Sequence, residues 1–286
     1  MHKTILTRAI DWSTGILLAG SLAFGFSAPA TAQNFGVPQE LLNNTRPVQG
    51  DSIRVCIDNL SVGAPFDQAV SEAIANALFL TPQIGIAPGG FPLDGMGYFD
   101  ELQIAMNNSC DMLPGISIQP GATFPAWATV TRPYAQVPFV FVVTDPTYKT
   151  LDDVPRDRKI GTALGSLGES QLLIYMVQRP KQDQWVRLPY ADPALMLKRL
   201  LDGSLAGIYI WQPSLMKVTN GDPESMGLHI IPTDPMPAVS VQVGALVSSR
   251  DSFLRSQIDD AIGALVADGT IAGIMAEHGY AGTAGP

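Results

Sequence analysis

Histidine and cysteine are nearly absent from this 286-residue chain, which carries three of the first and two of the second. That is too few, and too scattered, for a closed Cys/His zinc site. There is no C-x-x-C, H-E-x-x-H or G-x-S-x-G pattern, no G-x-G-x-x-G after an apolar run, and no G-K-[S/T] loop. The common sequence signatures of redox, metallohydrolase, serine-hydrolase and nucleotide-binding chemistry are therefore missing. Charge is also scarce, at 15% of residues, and the 17 Lys and Arg never cluster against 26 Asp and Glu. Phosphate-backbone binding needs a basic patch, so a nucleic acid is a poor partner for a chain of net charge −9. Glycine and proline, 27 and 23 residues, stay below the share that marks low-complexity disorder. What is present is a 46% apolar composition over a length that suits one large domain or two ordinary ones. Such a chain can bury a core without metals or many staples.

The one long apolar run lies at the start. Lys3 and Arg8 precede Ile16–Ala28, and Ala30-Thr31-Ala32 then offers small residues at the −3 and −1 positions of a cleavage site. This order reads as a secretory signal over residues 1–32 rather than a membrane anchor, for which the run is too short. The product is expected to be periplasmic, cleaved near Ala32, with no membrane span after cleavage. Without Lys3, Arg8 and Asp11, 15 basic and 25 acidic residues remain, net −10. Export also changes the reading of Cys56 and Cys110. In an oxidising compartment the pair is a disulfide candidate, the alternative being two buried thiols.

Residues 33–50 read as a polar lead-in. Beyond them, apolar periodicity predicts a strand at Ile53–Ile57 and a helix beginning at Asp67 and ended by Pro82. A Gly/Pro-rich loop is expected over 85–97, a helix over Phe99–Asn107 and a strand over Asp111–Ile118. An irregular stretch follows, then a strongly β-forming run at Val137–Val143. The pattern then restarts with a strand at Lys159–Ala163, a turn at Gly165-Ser166-Leu167, a helix to Val177, a helix at Pro193–Leu201 and a strand at Ala206–Ile210. Ser240–Val247 reads as a strand. Ser252–Ala267 reads as an amphipathic helix with Phe253, Leu254, Ile258, Ile262 and Leu265 inward, and Gly269 after it as the cap. A last helix is expected from Thr270 to His278. Strand–helix alternation predicts an α/β fold with parallel sheets. The simplest topology is two lobes joined by two crossing segments, with the C-terminal helices returning to the first. Residues 51–140 and 238–286 would form lobe I and residues 141–237 lobe II. Ligands of such sheets bind at the carboxyl ends of strands, here between the lobes.

Several stretches resemble family 3 periplasmic solute-binding proteins: RVCID, GYFDELQIAMNNSCDMLPGIS and TRPYAQVPFVFVV in the first half, then KIGTALGSLGES, LLDGSLAGIYIWQP and DAIGALVADGTIAGIMAEHGY. The likeness spans nearly all of residues 52–280. Cys56, Cys110-Asp111, Thr131-Arg132-Pro133-Tyr134 and Trp211-Gln212-Pro213 most resemble the branch associated with quinoprotein methanol or alcohol dehydrogenases. The resemblance implies a type II (Venus-flytrap) fold that closes by hinge motion on a small ligand. It also implies a partner: an ABC permease or, alternatively, a periplasmic quinoprotein dehydrogenase served as an accessory or maturation protein. No cofactor, metal or catalytic residue is expected. Amino-acid binders of the family carry an arginine just after the second lobe-I strand, which clamps the ligand carboxylate, and an aspartate after a lobe-II strand. Here Ile118-Gln119-Pro120-Gly121-Ala122 has no arginine and Tyr209-Ile210-Trp211-Gln212 no acid. Ordinary α-amino acids are therefore expected to be poor ligands.

Site candidates follow from strand ends. Asp58 and Asn59 close the first strand, as ligand groups or turn caps. Tyr98 and Phe99 precede a helix and can stack, while Phe66 reads as packing. Ser117 and Gln119 end the second strand. Arg132 is either a substitute carboxylate clamp or an anchor for the Pro133 turn. Gly165, Ser166 and Leu167 lead into a helix whose backbone N–H groups suit an anion or carbonyl. Trp211 can stack on an apolar or cationic ligand, and Gln212 stands beside it.

Overall fold

Ser52–Ile57 is a strand, β1, because its β-branched and apolar side chains fit a pleated surface with Val55 fully enclosed. The computed structural model describes residues 50–88, 97–119 and 121–286. The expected leader at 1–32, the lead-in up to residue 49 and residues 89–96 of the expected loop lie outside the described residues.

After β1 come α1 (Ala64–Ala77), β2 (Thr81–Ile86), α2 (Tyr98–Asn108) and β3 (Met112–Ile118). α1 begins three residues before the expected Asp67, since Pro65 sits in its first turn, where a missing N–H costs nothing. Pro82 does not simply end a helix. It lies inside β2, a parallel neighbour of β1 at the sheet edge, in register with Ile53, and an edge strand has room for a residue with no N–H. A short β4 (Ala128–Val130) interrupts the expected irregular stretch.

β5 (Ala135–Val143) is the long strand that joins two regions of sheet. Its first part pairs antiparallel with β10 (Ser240–Ser248), Pro138 opposite Ser240 and Ala135 opposite Val243. Its second part pairs with β8 (Gly207–Trp211), Phe139 opposite Trp211. Between them in sequence lie β6 (Lys159–Ala163), α3 (Leu167–Val177), β7 (Val186–Tyr190) and α4 (Pro193–Leu201). α5 (Gln212–Val218) and β9 (His229–Ile231) follow β8. α6 (Ser252–Ala267), α7 (Thr270–Glu277) and β11 (Thr283–Ala284) complete the chain. The main path of the sheet runs β2-β1-β3-β10-β5-β8-β6-β7.

Alternate residues of β5 face two cores. Phe139, Phe141 and Val143 join a large cluster with Val55, Phe66, Met112, Tyr209 and Ile262, while Val140 and Val142 meet Met196, Leu200 and Ile208. Burial on both faces explains the continuous apolar run VPFVFVV. Each fully enclosed large side chain contributes roughly 2–3 kcal/mol. α6 and α7 pack back on α1, as the expected topology requires. Gly269 ends α6 at φ +84°. Phe253 departs from the expected inner face and is 78% exposed; the buried stripe of α6 is Ile258, Ala261, Ile262 and Leu265. Cys56 and Cys110 form a disulfide with a Cα–Cα distance of 5.6 Å, tying the end of β1 to the segment two residues before β3.

Candidate functional site

The turn from β1 into α1 is built from its own polar residues. Asp58 Oδ1 accepts the Leu60 N–H at 3.0 Å, the Asp58 carbonyl accepts the Ser61 N–H at 3.0 Å, and Ser61 Oγ accepts the Gly63 N–H at 3.1 Å. This folds the carboxyl end of β1 around Ser61, and three adjoining cavities meet there. The largest, about 710 Å³, lies between this turn, with Asn59 and Gln68, and residues Met216, Lys217, Glu277, His278 and Tyr280. A second, about 80 Å³, is bounded by Asp58, Asp67, Tyr98 and Gly115. The third, about 20 Å³, lies among Phe66, Asp67, Gly115, Trp211 and Tyr280.

Asp67 borders both small cavities yet is only 4% exposed. Its Oδ1 accepts the Tyr134 hydroxyl proton at 2.6 Å, and that hydroxyl in turn accepts the Gly115 N–H at 2.8 Å. Among the described residues no hydrogen bond reaches Oδ2. Gly115 is required here twice over: its φ is +81°, and a Cβ would stand 2.6 Å from Asp67 Oδ2. Burial pushes the Asp67 carboxyl up to about 7; the Tyr134 hydrogen bond pulls it down, and the charge of Asp58 adds to the rise. Burial also raises Tyr134 well above its ordinary range, with the Asp67 charge adding to it. Tyr280 is pushed up to about 12 by burial and by Asp67, and Tyr98 is raised by burial and by Asp58.

The second helix start is satisfied from within. Gly165 N–H donates to Glu169 Oε2 at 2.6 Å, Thr162 Oγ1 donates to Oε1 at 3.0 Å, and the Arg187 guanidinium pairs with the same carboxylate. Ser166 Oγ caps α3 by accepting the Glu169 N–H at 3.0 Å. One of the backbone donors expected to meet an anion is thus already taken by a side chain of the same turn.

Asp58, Asn59, Tyr98 and Trp211 are the sequence-selected residues that the structure brings to the three adjoining cavities. Trp211 stands in the wall of the smallest, its Nε1 buried without a hydrogen-bond partner. Phe99 lies outside these walls, half exposed with its ring against Tyr98 at 5.7 Å. Ser117 and Gln119 are exposed beyond them, Ser117 in register with Val243. Gly165, Ser166 and Leu167 border none of the three. Arg132 packs toward α6: its N–H donates to Asp259 Oδ1 at 2.6 Å, and its guanidinium occupies the space beside Gly263. Gln212 is 5% exposed and is spent on a clasp, donating from Nε2 to the Gly279 carbonyl at 3.0 Å and accepting the Ala281 N–H at 2.6 Å.

Sequence reasoning missed Asp67, Ser61, Gly115 and Tyr134 as site residues. One signal was available. Asp67 stands three residues before Val70 and seven before Ile74, on the apolar stripe of α1, so a carboxylate faces the core.

No protein-family profile and no curated protein sequence matches the chain. Solved structures do resemble it. The second substrate-binding domain of GlnP from Lactococcus lactis, in its open conformation, is 14% identical over 83% of this chain and 97% of that one, with a TM-score of 0.62. The unliganded, open L-cystine solute receptor of Neisseria gonorrhoeae is 17% identical over 80% and 93%, with a TM-score of 0.59. A histidine kinase sensor domain with similarity to periplasmic binding proteins is 17% identical over 82% and 98%, with a TM-score of 0.52. At such identities the likeness concerns architecture, and with the β5–β10 crossing it defines the chain as a two-lobed α/β protein of the type II periplasmic-binding-protein fold.

Proposed function

We propose that this chain is an exported, periplasmic solute-binding protein that closes on a small ligand other than an α-amino acid and presents it to an ABC importer. Residues 51–140 with 238–286 act as one lobe and residues 141–237 as the other. β5 and β10 serve as the hinge between them. The observation that carries this reading is convergence: the β1–α1 turn, the start of α2, the middle of β3 and the end of β8 all contribute side chains or backbone to adjoining cavities around Ser61. Asp58, Asn59, Tyr98 and Trp211 are the ligand contacts. The likeness to a substrate-binding domain and a solute receptor supports the role. The exclusion of amino acids rests on charge. Residues 118–122 hold no arginine, and a ligand carboxylate entering the 80 Å³ cavity would meet Asp58 and Asp67 instead of a cation.

Thermal melts against a metabolite panel test the reading. A ligand present at one hundred times its Kd stabilises the folded state by about 2.7 kcal/mol, several degrees in Tm. A panel in which no compound moves Tm removes the solute-binding role. Micromolar calorimetric binding of a standard amino acid removes the ligand restriction. Service to a quinoprotein dehydrogenase is the second reading, favoured by Cys56, Cys110-Asp111 and Trp211-Gln212-Pro213 in the sequence. A periplasmic pulldown that retains a dehydrogenase subunit would select it.

A further inference from the structure

We infer that Asp67 Oδ2, at the floor between the two small cavities, is the docking point for the ammonium group of a small protonated amine that also carries an oxygen acceptor. The inference rests on the solute-binding reading and names the ligand class of that site.

A carboxylate that is 4% exposed is ordinarily surrounded by donors. Asp67 has one, and it serves Oδ1. Oδ2 is left bordering the cavities, beside two residues without side chains, Gly63 and Gly115. A donor can therefore approach it where any larger residue at 115 would block the way. Among the described residues no Lys, Arg or His borders either small cavity, while Asp58 borders one of them. A positive group is what such a space lacks. Tyr98, Phe66, Tyr280 and Trp211 supply aromatic walls, whose ring faces attract cations. Trp211, a residue of the smallest cavity's wall, adds a second unmet group: its Nε1 is a buried donor with no acceptor. A ligand with both an ammonium and an oxygen would satisfy the two groups at once.

The proton balance follows. Asp67 is pushed up to about 7 and faces Asp58 from the β1–α1 turn, Tyr134 just before β5 and Tyr280 beyond α7. Tyr98 on α2 lies past Asp58, and His278 meets Phe66 edge-on at 5.8 Å. None of these residues is a fixed cation. An ammonium at Oδ2 supplies the missing counter-charge, favours the ionised carboxylate and expels its proton.

The test is calorimetric titration of the full chain with ethanolamine, ethylamine, ethylene glycol and glycine, in two buffers of different ionisation enthalpy, at pH 6, 7 and 9. Ethanolamine is expected to bind more tightly than ethylamine, with glycol and glycine at least tenfold weaker. Proton release near pH 7 should vanish at pH 9, and affinity should fall about tenfold per pH unit below the Asp67 pKa. Asp67→Asn should lose at least tenfold in ethanolamine affinity together with the proton release. If that variant does not fold, the buffer dependence of the wild type decides alone. Glycol binding as tightly as ethanolamine, or amine binding without proton release at pH 7, overturns the inference. A compound outside this set that raises Tm while no amine binds overturns it too, and leaves the solute-binding reading standing.

Discussion

Asp67 and Glu169 occupy corresponding places in the two halves of the sheet. Each lies near the start of a helix that follows a parallel strand, and each is almost fully enclosed, at 4% and 6% exposure. Their surroundings differ. Glu169 has a hydroxyl, a backbone N–H and the Arg187 guanidinium, so its charge is met inside the fold. Asp67 has one tyrosine hydroxyl on one oxygen, and burial drives it toward the neutral form. The comparison teaches that burial alone does not assign a carboxylate's role: the partner count does. A carboxylate with its counter-ion in place holds a turn together, whereas one without it retains a demand that a ligand can meet.

The largest expected effect is on the side that lacks a counter-ion. In the unfolded chain the Asp67 carboxyl titrates near 3.8, and in the folded protein near 7. Below pH 4 both states hold the proton and the site is neutral to stability. Between pH 4 and 7 the unfolded chain releases it and the folded chain keeps it, so stability falls as pH rises. The full loss, about 4 kcal/mol, is present above pH 7. Asp67→Asn keeps an acceptor for Tyr134 but has no proton to lose. Urea midpoints taken from pH 4 to 8.5 should show the variant gaining on the wild type up to about pH 7 and levelling off above it. Parallel profiles would mean that Asp67 is as well compensated as Glu169, and the comparison would fail.

Nearly as large is the effect of the staple beneath the same half. The disulfide spans a sequence separation of 54, and on chain-entropy grounds closing such a loop contributes about 4 kcal/mol. Replacing both Cys56 and Cys110 with Ser should lower the urea midpoint accordingly, and a reductant should do the same to the wild type. The region around Glu169 has no such cross-link. A reductant-insensitive midpoint would show that strand pairing and packing hold β1 and β3 without the cross-link.

Much of the fold was legible because periodicity and punctuation agreed. Lys159–Ala163, Pro193–Leu201 and Ser252–Ala267 have the bounds that the pattern predicts. β2 was hidden by Pro82, read as a break although it sits on an edge strand where no N–H is needed, and α5, with Pro213 in its first turn, was not anticipated. Phe253 was placed inward by spacing alone, but it stands at the start of α6, beyond the part that meets the core. For the site, the start of a helix led to Tyr98, and strand ends to Asp58, Asn59 and Trp211. The same rule chose Arg132 and Gln212, whose hydrogen bonds go to α6 and to the C-terminal segment; which neighbour a polar group finds is a long-range matter that local sequence does not carry. Asp67 was passed over because it was read as the first residue of the helix, a boundary position that hides a carboxylate turned inward.

The smallest effect tests the satisfied side. In Glu169→Gln the amide oxygen can still accept the Gly165 N–H, and the amide nitrogen in the place of Oε1 can donate to the Thr162 hydroxyl, which turns from donor to acceptor, so the turn keeps both contacts. Arg187 loses its counter-charge. Removing one partner of a fully buried pair costs about 3–5 kcal/mol, but the Arg187 side chain is 26% exposed and water screens part of that loss. A destabilisation of about 2 kcal/mol is therefore expected, as a lower urea midpoint. Adding Arg187→Met, which removes the stranded charge, should recover part of it. Amine binding should be unchanged in both variants, since neither residue borders the cavities around Ser61. If Glu169→Gln instead weakens binding as strongly as Asp67→Asn, the two carboxylates serve one site, and the division between a structural acid and a recognition acid is wrong.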